Sequence, residues 1–344
     1  MKTLLELRNV TKVFGGGILS KNRTTALEDL SVTIAADQPS ITAIVGESGS
    51  GKTTLARLLL GIIAPTEGHI FYKGKDVANM SRAERREFRR EVQPIFQDPF
   101  EVFNPFYRVD HVLKVPISKF KLARSGEEEQ SIIRDAFELV GLRPEETLGR
   151  YPHQLSGGQR QRIMVARALL MKPRVILADE PVSMVDASLR ATILESIHKM
   201  TRELGIPILY ITHDLTTAYQ ISDSILVLYR GSVAEAGGVD HVIKDPKHPY
   251  TQLLVASIPH ANPELRWGEG RVAHVHTANR DVHGCKFADR CDAVMDMCWD
   301  NFPPHYQIDR HRAAACYLYR DSPVMKGSDL SQVFVAPQEA ATTG

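Results

Sequence analysis

The sequence has no run of the roughly 18 uncharged apolar residues that a membrane-crossing helix needs. Its continuous apolar stretches are as short as residues 175–178 and suit buried strands. Any role at a membrane therefore has to come through a partner. There is no excess of charge of one sign either: 42 Lys and Arg stand against 41 Asp and Glu, a formal net charge of +1, so bulk charge does not point to nucleic acid. The one dense basic run, residues 82–90, carries Glu84, Glu87 and Glu91 among its arginines at helical spacing and reads as a solvated helix face. The first apolar stretch is interrupted by Glu6 and Arg8, so the unbroken core of a secretory leader is missing and secretion is not expected. Cysteine is scarce and confined to Cys285, Cys291, Cys298 and Cys316, so no disulfide framework runs through the chain.

What is present suits a large α/β domain with a smaller appendage: of 344 residues, 43% are hydrophobic and 24% charged. Residues 4–14 and 26–34 alternate apolar and polar positions and predict strands of a half-exposed antiparallel sheet. Residues 41–45 are apolar apart from Thr42, as in a strand covered on both faces, and lead through a glycine-rich turn into a helical stretch at 53–60. Between 99 and 150 the pattern becomes helical without a β-branched run, and buried-strand character returns at 174–178 and 206–212. This predicts a helical insertion in an α/β core. Short strands resume over 221–236, and regular patterning is lost past about Pro259. The expected division is a domain over 1–258 with a helical part at about 99–170, a module over 259–320, and a disordered tail over 321–344.

The segment Gly46-Glu47-Ser48-Gly49-Ser50-Gly51-Lys52-Thr53-Thr54 fits the phosphate-loop pattern, with a buried strand before it and a helix after it. Glycines let successive N–H groups converge on phosphate oxygens at a helix N-terminus. Lys52 is expected to neutralise the β- and γ-phosphates, and the Thr53 hydroxyl to ligate Mg²⁺. Residues 175–178 form an apolar strand that ends in Asp179 and Glu180, the carboxyl edge where α/β sheets bind ligands. Adjacent strand positions point apart, so the two acids divide the work. Asp179 is assigned to the metal and Glu180 to the attacking water as general base.

Leu155-Ser156-Gly157-Gly158-Gln159, placed shortly before that strand, resembles the signature sequence of the ABC ATPases. The pentapeptide offers a hydroxyl and unobstructed N–H groups at a helix start, an anion site in its own right; a glycine turn that only caps the helix is the blander alternative. The resemblance implies that Ser156, Gly157, Gly158 and Gln159 meet ATP bound on the opposite subunit. It also implies that Gln97 in Phe96-Gln97-Asp98-Pro99 reaches the metal, and that His213 in Thr212-His213-Asp214 contacts the γ-phosphate. Asp186 in Ser183-Met184-Val185-Asp186 then couples two subunits, although Met184 and Val185 depart from the commoner Ala-Leu. Phe14 is the candidate for stacking on adenine, with core packing as the alternative. The implied fold is a P-loop NTPase core of the ABC ATPase type with an antiparallel β subdomain and a helical subdomain.

Past residue 258, the pattern Cys285-Lys286-Phe287, Arg290-Cys291, Cys298 and His311-Arg312 with Cys316 is similar to the C-terminal extension of the oligopeptide and dipeptide importer ATPases, as is the segment from His248-Pro249-Tyr250 to Ile258-Pro259. The stretch from His311 to Cys316 is one residue longer than that family's pattern. In a reducing compartment four cysteines point to metal before disulfides. They lack the C-x₂-C pairs of zinc ribbons; the family resemblance implies a [4Fe-4S] cluster, and reduced thiols without metal stay open beside it. His274, His276 and His283 read as solvated.

The resemblance implies an ATP- and Mg²⁺-dependent ATPase that powers uptake of peptides or a related polar solute. Its partners would be two transmembrane permease subunits, a second ABC ATPase subunit (a heterodimer is favoured) and an extracytoplasmic solute-binding protein, and its place the cytoplasmic face of the inner cell membrane. The competing expectation is a soluble ABC ATPase acting on ribosomes or DNA. Such proteins carry paired nucleotide domains or long coiled-coil insertions, and the sequence shows neither.

Overall fold

The structure is a computed structural model that describes residues 3–15, 23–98, 102–183, 185–258 and 283–335. In chain order its strands are β1 (Thr3–Gly15), β2 (Arg23–Ala35), β3 (Ile41–Val45), β4 (Glu67–Tyr72), β5 (Lys75–Asp76), β6 (Val92–Ile95), β7 (Val175–Asp179), β8 (Ile208–Thr212), β9 (Ser224–Tyr229), β10 (Ser232–Gly238), β11 (Tyr306–Asp309) and β12 (Arg312–Ala314). The chain divides into two compact units, Met1–Asn79 with Thr212–Gly344, and Met80–Ile211.

In the first unit β1 pairs antiparallel with β2 and β4, and the order is β2-β1-β4-β5. The predicted alternation is what pairs them. Leu5 and Leu7 face inward and register with Ile34 and Val32 on one side and with Tyr72 and Ile70 on the other. A second sheet in this unit centres on β3, buried along its whole length, which runs parallel to β9 from Thr42↔Ser224 to Val45↔Val227. β9 turns into β10 through Arg230 and Gly231, both with positive φ, the two-residue turn whose twist matches antiparallel strands. β12 then pairs with β10, and β11 with β12.

The region past residue 258 is therefore not a separate globule in its described part. Phe287 and Cys291 pack into the core that holds Ala43, Val45, Tyr229 and Tyr250. A smaller cluster gathers Ala288, Cys298, Trp299, Tyr306 and Tyr317. The tail needs the same correction up to Val335. Met325, Leu330, Val333 and Val335 are buried, Asp329 accepts hydrogen bonds from the Thr33 amide (3.1 Å) and hydroxyl (2.6 Å), and the Val335 amide donates to Ser224 Oγ at 2.9 Å. Irregularly spaced apolar residues hold this segment, so no period betrays it.

In the second unit β6, β7 and β8 form a parallel ladder, with Ile95↔Ala178 and Asp179↔Ile211 at its carboxyl end. The expected helical insertion is present as Asp110–Phe120, Gly126–Leu139 and Gly157–Leu170 with a short turn of helix at Pro144–Thr147. The basic run forms the helix Arg82–Glu91. Its start is fixed by a capping box between Ser81 and Glu84, and Phe88 is its buried residue, as a solvated face requires.

Candidate functional site

In the first unit the phosphate-loop pattern lies between β3 and the helix Lys52–Leu59. Gly46 has φ +153, and a Cβ there would stand 2.2 Å from the Leu228 carbonyl oxygen; at Gly51 (φ +108) it would stand 2.4 Å from the Ala26 carbonyl oxygen. Only glycine meets both demands, the unusual backbone and the close approach. The helix begins without a side-chain cap, and the helix dipole favours an anion at its start. Lys52 is buried, and its Nζ donates to the carbonyl oxygens of Gly46 (2.7 Å) and Glu47 (3.0 Å). Thr53 is exposed on the first turn and Thr54 is half-buried. Ser48 and Gly49 are exposed, and Ser50, whose amide donates to Glu47 O at 3.1 Å, is buried.

Two contacts in the same unit were not foreseen. The Glu47 amide donates to the Tyr250 hydroxyl at 2.9 Å, and the Glu47 carboxylate receives both terminal nitrogens of Arg290, at 3.0 and 3.1 Å. The carboxylate raises the Arg290 pKa, and burial raises that of Tyr250. His213 is exposed just beyond β8, where Asp214 caps the helix Leu215–Ile221 by accepting from the Thr216 and Thr217 amides. Phe14 is exposed, with Lys12 Nζ 5.1 Å from its ring centre, so the core-packing alternative falls away.

In the second unit Asp179 and Glu180 sit half-buried at the end of β7. Because β6 ends beside β7, Gln97 is brought to Glu180, and its Nε2 donates to Glu180 Oε2 at 2.8 Å. Glu180 adopts φ 46, a left-handed conformation rare for a non-glycine residue. The Ser183 amide and hydroxyl, both donating to the Glu180 carbonyl oxygen at 3.2 and 3.0 Å, hold it there.

Ser156 is the N-cap of the helix Gly157–Leu170. Its hydroxyl accepts from the Gln159 amide at 3.1 Å, while the Gln159 side-chain oxygen accepts from the Ser156 amide at 3.0 Å. The helix start is thus capped by the Ser156 side chain rather than by a glycine turn, and the helix begins at Gly157, not Gln159. A Cβ on Gly158 would meet Leu189 Cδ1 at 2.4 Å, so helix packing supplies a second reason for glycine. Asp186 is exposed before the helix Ala187–Arg202 and makes no side-chain cap to it. Met184, Pro259, His274 and His276 lie outside the described residues.

All four cysteines are free thiols and line one small cavity. Burial pushes the Cys285 thiol up to about 11 and that of Cys316 up to about 12, and raises Cys291 as well.

Comparison with known proteins places these features in a family. The ABC transporter family model matches residues 27–183, and the model for the oligopeptide/dipeptide transporter C-terminal region matches 234–298. The oligopeptide transport ATP-binding protein AppF of Bacillus subtilis is 34% identical over 324 residues, covering 92% of this chain and 98% of that protein. Among solved structures, a dimeric ATP-binding cassette in a post-hydrolysis state bound to ADP and phosphate is 29% identical with a TM-score of 0.60. It covers 69% of this chain and 99% of its own. The cassette cbiO1 of Clostridium perfringens is 26% identical at the same TM-score of 0.60, covering 71% and 92%. In the described residues no helix is long and apolar enough to cross a membrane, and ATPase subunits of this kind associate with membrane permeases. The chain belongs to the ATP-binding proteins of the oligopeptide/dipeptide ABC transporters: it is the ATP-binding subunit of an oligopeptide ABC importer, an ATPase that couples hydrolysis to transport.

Proposed function

We propose that this subunit binds ATP through Gly46–Thr54 and activates water with Glu180. Lys52 turns from the loop carbonyl oxygens to the β- and γ-phosphates when nucleotide enters. Glu180 accepts the proton of the attacking water, and Gln97, which donates to its carboxylate, sets the side-chain orientation. His213 contacts the γ-phosphate, and Phe14 stacks on adenine with the support of its exposure. By the family resemblance Thr53, Gln97 and Asp179 would hold Mg²⁺, with hydroxyl, amide and carboxylate oxygens, the hard donors that this ion takes, and the ion would supply neutralisation of phosphate charge. The observation that carries the reading is the Gln97–Glu180 hydrogen bond on a carboxylate held in a left-handed conformation at a strand end.

The sequence has one phosphate loop and one signature; a second ATPase subunit completes the catalytic pair, and the family resemblance favours a paralogue in that place. Ser156, Gly157, Gly158 and Gln159 face its ATP, and Asp186 couples the two subunits. Two permease subunits hold the pair at the cytoplasmic face of the inner cell membrane. An extracytoplasmic binding protein delivers the peptide, or a related polar solute, and no nucleic acid takes part. The domain over 1–258 carries the nucleotide chemistry.

A [4Fe-4S] cluster on Cys285, Cys291, Cys298 and Cys316 is the further reading that the family resemblance suggested. The four thiols share one cavity. Yet among the described residues no three His, Cys, Asp or Glu side chains are grouped to hold a metal ion. As placed they do not fit a cluster. Iron and acid-labile sulfide in protein purified without oxygen would show that the module closes around iron.

The direct test is to isolate the chain from detergent-solubilised native membranes with its partners and to assay ATP turnover. Recovery of two multi-spanning proteins and a second ATPase is the expected result. Recovery of ribosomal or DNA-repair proteins from the soluble fraction would overturn the transport assignment.

A further inference from the structure

Glu47 is an awkward residue for a phosphate site, because a carboxylate beside a bound polyphosphate repels it. The structure shows how that charge is managed. Both Glu47 carboxylate oxygens face the Arg290 guanidinium, at 3.0 and 3.1 Å, the parallel two-bond pairing that fixes direction as well as charge. Arg290 is fixed in turn: it donates to the Tyr229 hydroxyl at 3.3 Å, and its guanidinium carbon lies 5.8 Å from the Tyr229 ring centre and 5.6 Å from that of Phe287. The Glu47 amide is committed to Tyr250 (2.9 Å), and its carbonyl oxygen accepts from Lys52 Nζ (3.0 Å) and the Ser50 amide (3.1 Å). Three handles of one loop residue are thus held, two of them by side chains more than 200 positions away, separations of 203 and 243.

We infer that Arg290 is a positioning residue for nucleotide binding, through which the cysteine-containing C-terminal region sets the conformation and masks the charge of the phosphate loop at Glu47. The inference rests on the nucleotide reading proposed above. The pair is partly exposed, with side chains 24% and 42% accessible, so its worth to folding is small and its effect belongs in nucleotide affinity.

The test uses the full chain and its assembled transporter, with a fluorescent N-methylanthraniloyl-ATP as the binding probe and ATP for turnover. Arg290→Met removes the fork but keeps an apolar stem over the rings, and leaves the Glu47 charge bare. The expected result is a Kd and KM raised about tenfold with kcat little changed. Glu47→Gln has no charge to mask; as a change in the binding loop itself it is the reference for the pair rather than a neutral control, and adding Arg290→Met to it is expected to cost little further affinity, so that the double variant binds more tightly than Arg290→Met alone. A pair that serves only as structural glue would make both single variants equally weak and leave the double variant no better. Unchanged Kd and KM in Arg290→Met would overturn the inference, as would a double variant as weak as Arg290→Met. Should Arg290→Met not fold, the same comparison is made with Arg290→Gln. Lys52→Ala serves as the separate control: if it binds the probe like the parent, the nucleotide reading fails rather than the role of Arg290.

Discussion

The phosphate loop and the signature segment use the same materials, glycine and serine before a helix, and are held in opposite ways. The signature holds itself, since Ser156 and Gln159 satisfy one another's amides across three residues. Around the phosphate loop the partners come from afar: Tyr250 and Arg290 grip Glu47, and the Gly231 amide donates to Ser50 O at 2.9 Å. No side chain caps the loop's helix, whereas the signature's helix is capped by Ser156, the residue just before it. A self-capped helix start keeps its geometry whatever the rest of the chain does. A loop anchored remotely takes its shape from the anchors, and its affinity can be changed from residues that never touch ATP.

The largest effect that separates chemistry from scaffold is at Glu180. Glu180→Gln keeps the Gln97 contact feasible but removes the proton acceptor, so ATP turnover by the assembled transporter should fall by about 10²–10⁴-fold while probe binding persists. Unchanged steady-state turnover would end the general-base assignment.

Next come the glycines, which test the two modes of holding directly. Gly46→Ala drives a Cβ to 2.2 Å from a backbone carbonyl oxygen at φ +153, whereas Gly158→Ala meets the far end of the Leu189 side chain at 2.4 Å. Backbone cannot step aside and a leucine can. Gly46→Ala should therefore cost roughly 3 kcal/mol or more in chemical denaturation and abolish probe binding, and Gly158→Ala roughly 1 kcal/mol. Equal costs would contradict the contrast.

The sequence made the self-contained features legible and hid the remote ones. Strands read as 4–14, 26–34 and 41–45 stand at Thr3–Gly15, Arg23–Ala35 and Ile41–Val45, because alternation and continuous burial each leave a local trace. The cap at Ser156 could be read for the same reason. β11 and β12, of four and three residues, are too short to show a period, and their pairing to β10 is a tertiary fact. The left-handed backbone of Glu180 contradicts what a Glu prefers. The Arg290–Glu47 pair joins positions 243 apart; an Arg beside a cysteine gave no reason to look toward a glycine-rich loop.

A smaller, pH-dependent effect probes the anchor of Tyr250. Glu235, on β10, is buried and accepts from the amides of Lys247 (3.0 Å) and His248 (2.9 Å), just before the helix that carries Tyr250. Burial raises its pKa from 4.5 to about 7 against those hydrogen bonds and the nearby Arg312, so the folded state holds a proton that the unfolded chain has released. Stability from this group is complete below about 4.5 and is lost as pH rises towards 7. Burial, with His305 nearby, lowers His248 from 6.5 to about 3, and that loss runs the other way, as pH falls from 6.5 towards 3. Glu235→Gln removes the first slope and leaves the second. Relative to the parent, the variant should gain on the order of 2 kcal/mol between about pH 5 and pH 7 in denaturant titrations; parallel pH profiles would remove Glu235 as the source.

The smallest effect is at the signature, and it measures what self-capping is worth. Ser156→Ala removes the acceptor for the Gln159 amide while Gln159 can still accept from the residue 156 amide. A lost N-cap costs about 1 kcal/mol, a shift visible in denaturation but compatible with a folded chain. Ser156→Thr keeps the hydroxyl and should restore that stability. The two substitutions separate capping from contact with the partner's ATP. If the hydroxyl serves the helix alone, Ser156→Ala lowers stability and leaves turnover per folded complex intact. If it also meets phosphate, turnover falls by more than the loss of folded protein explains, and the threonine variant, with an added methyl group at the ligand, recovers stability ahead of activity.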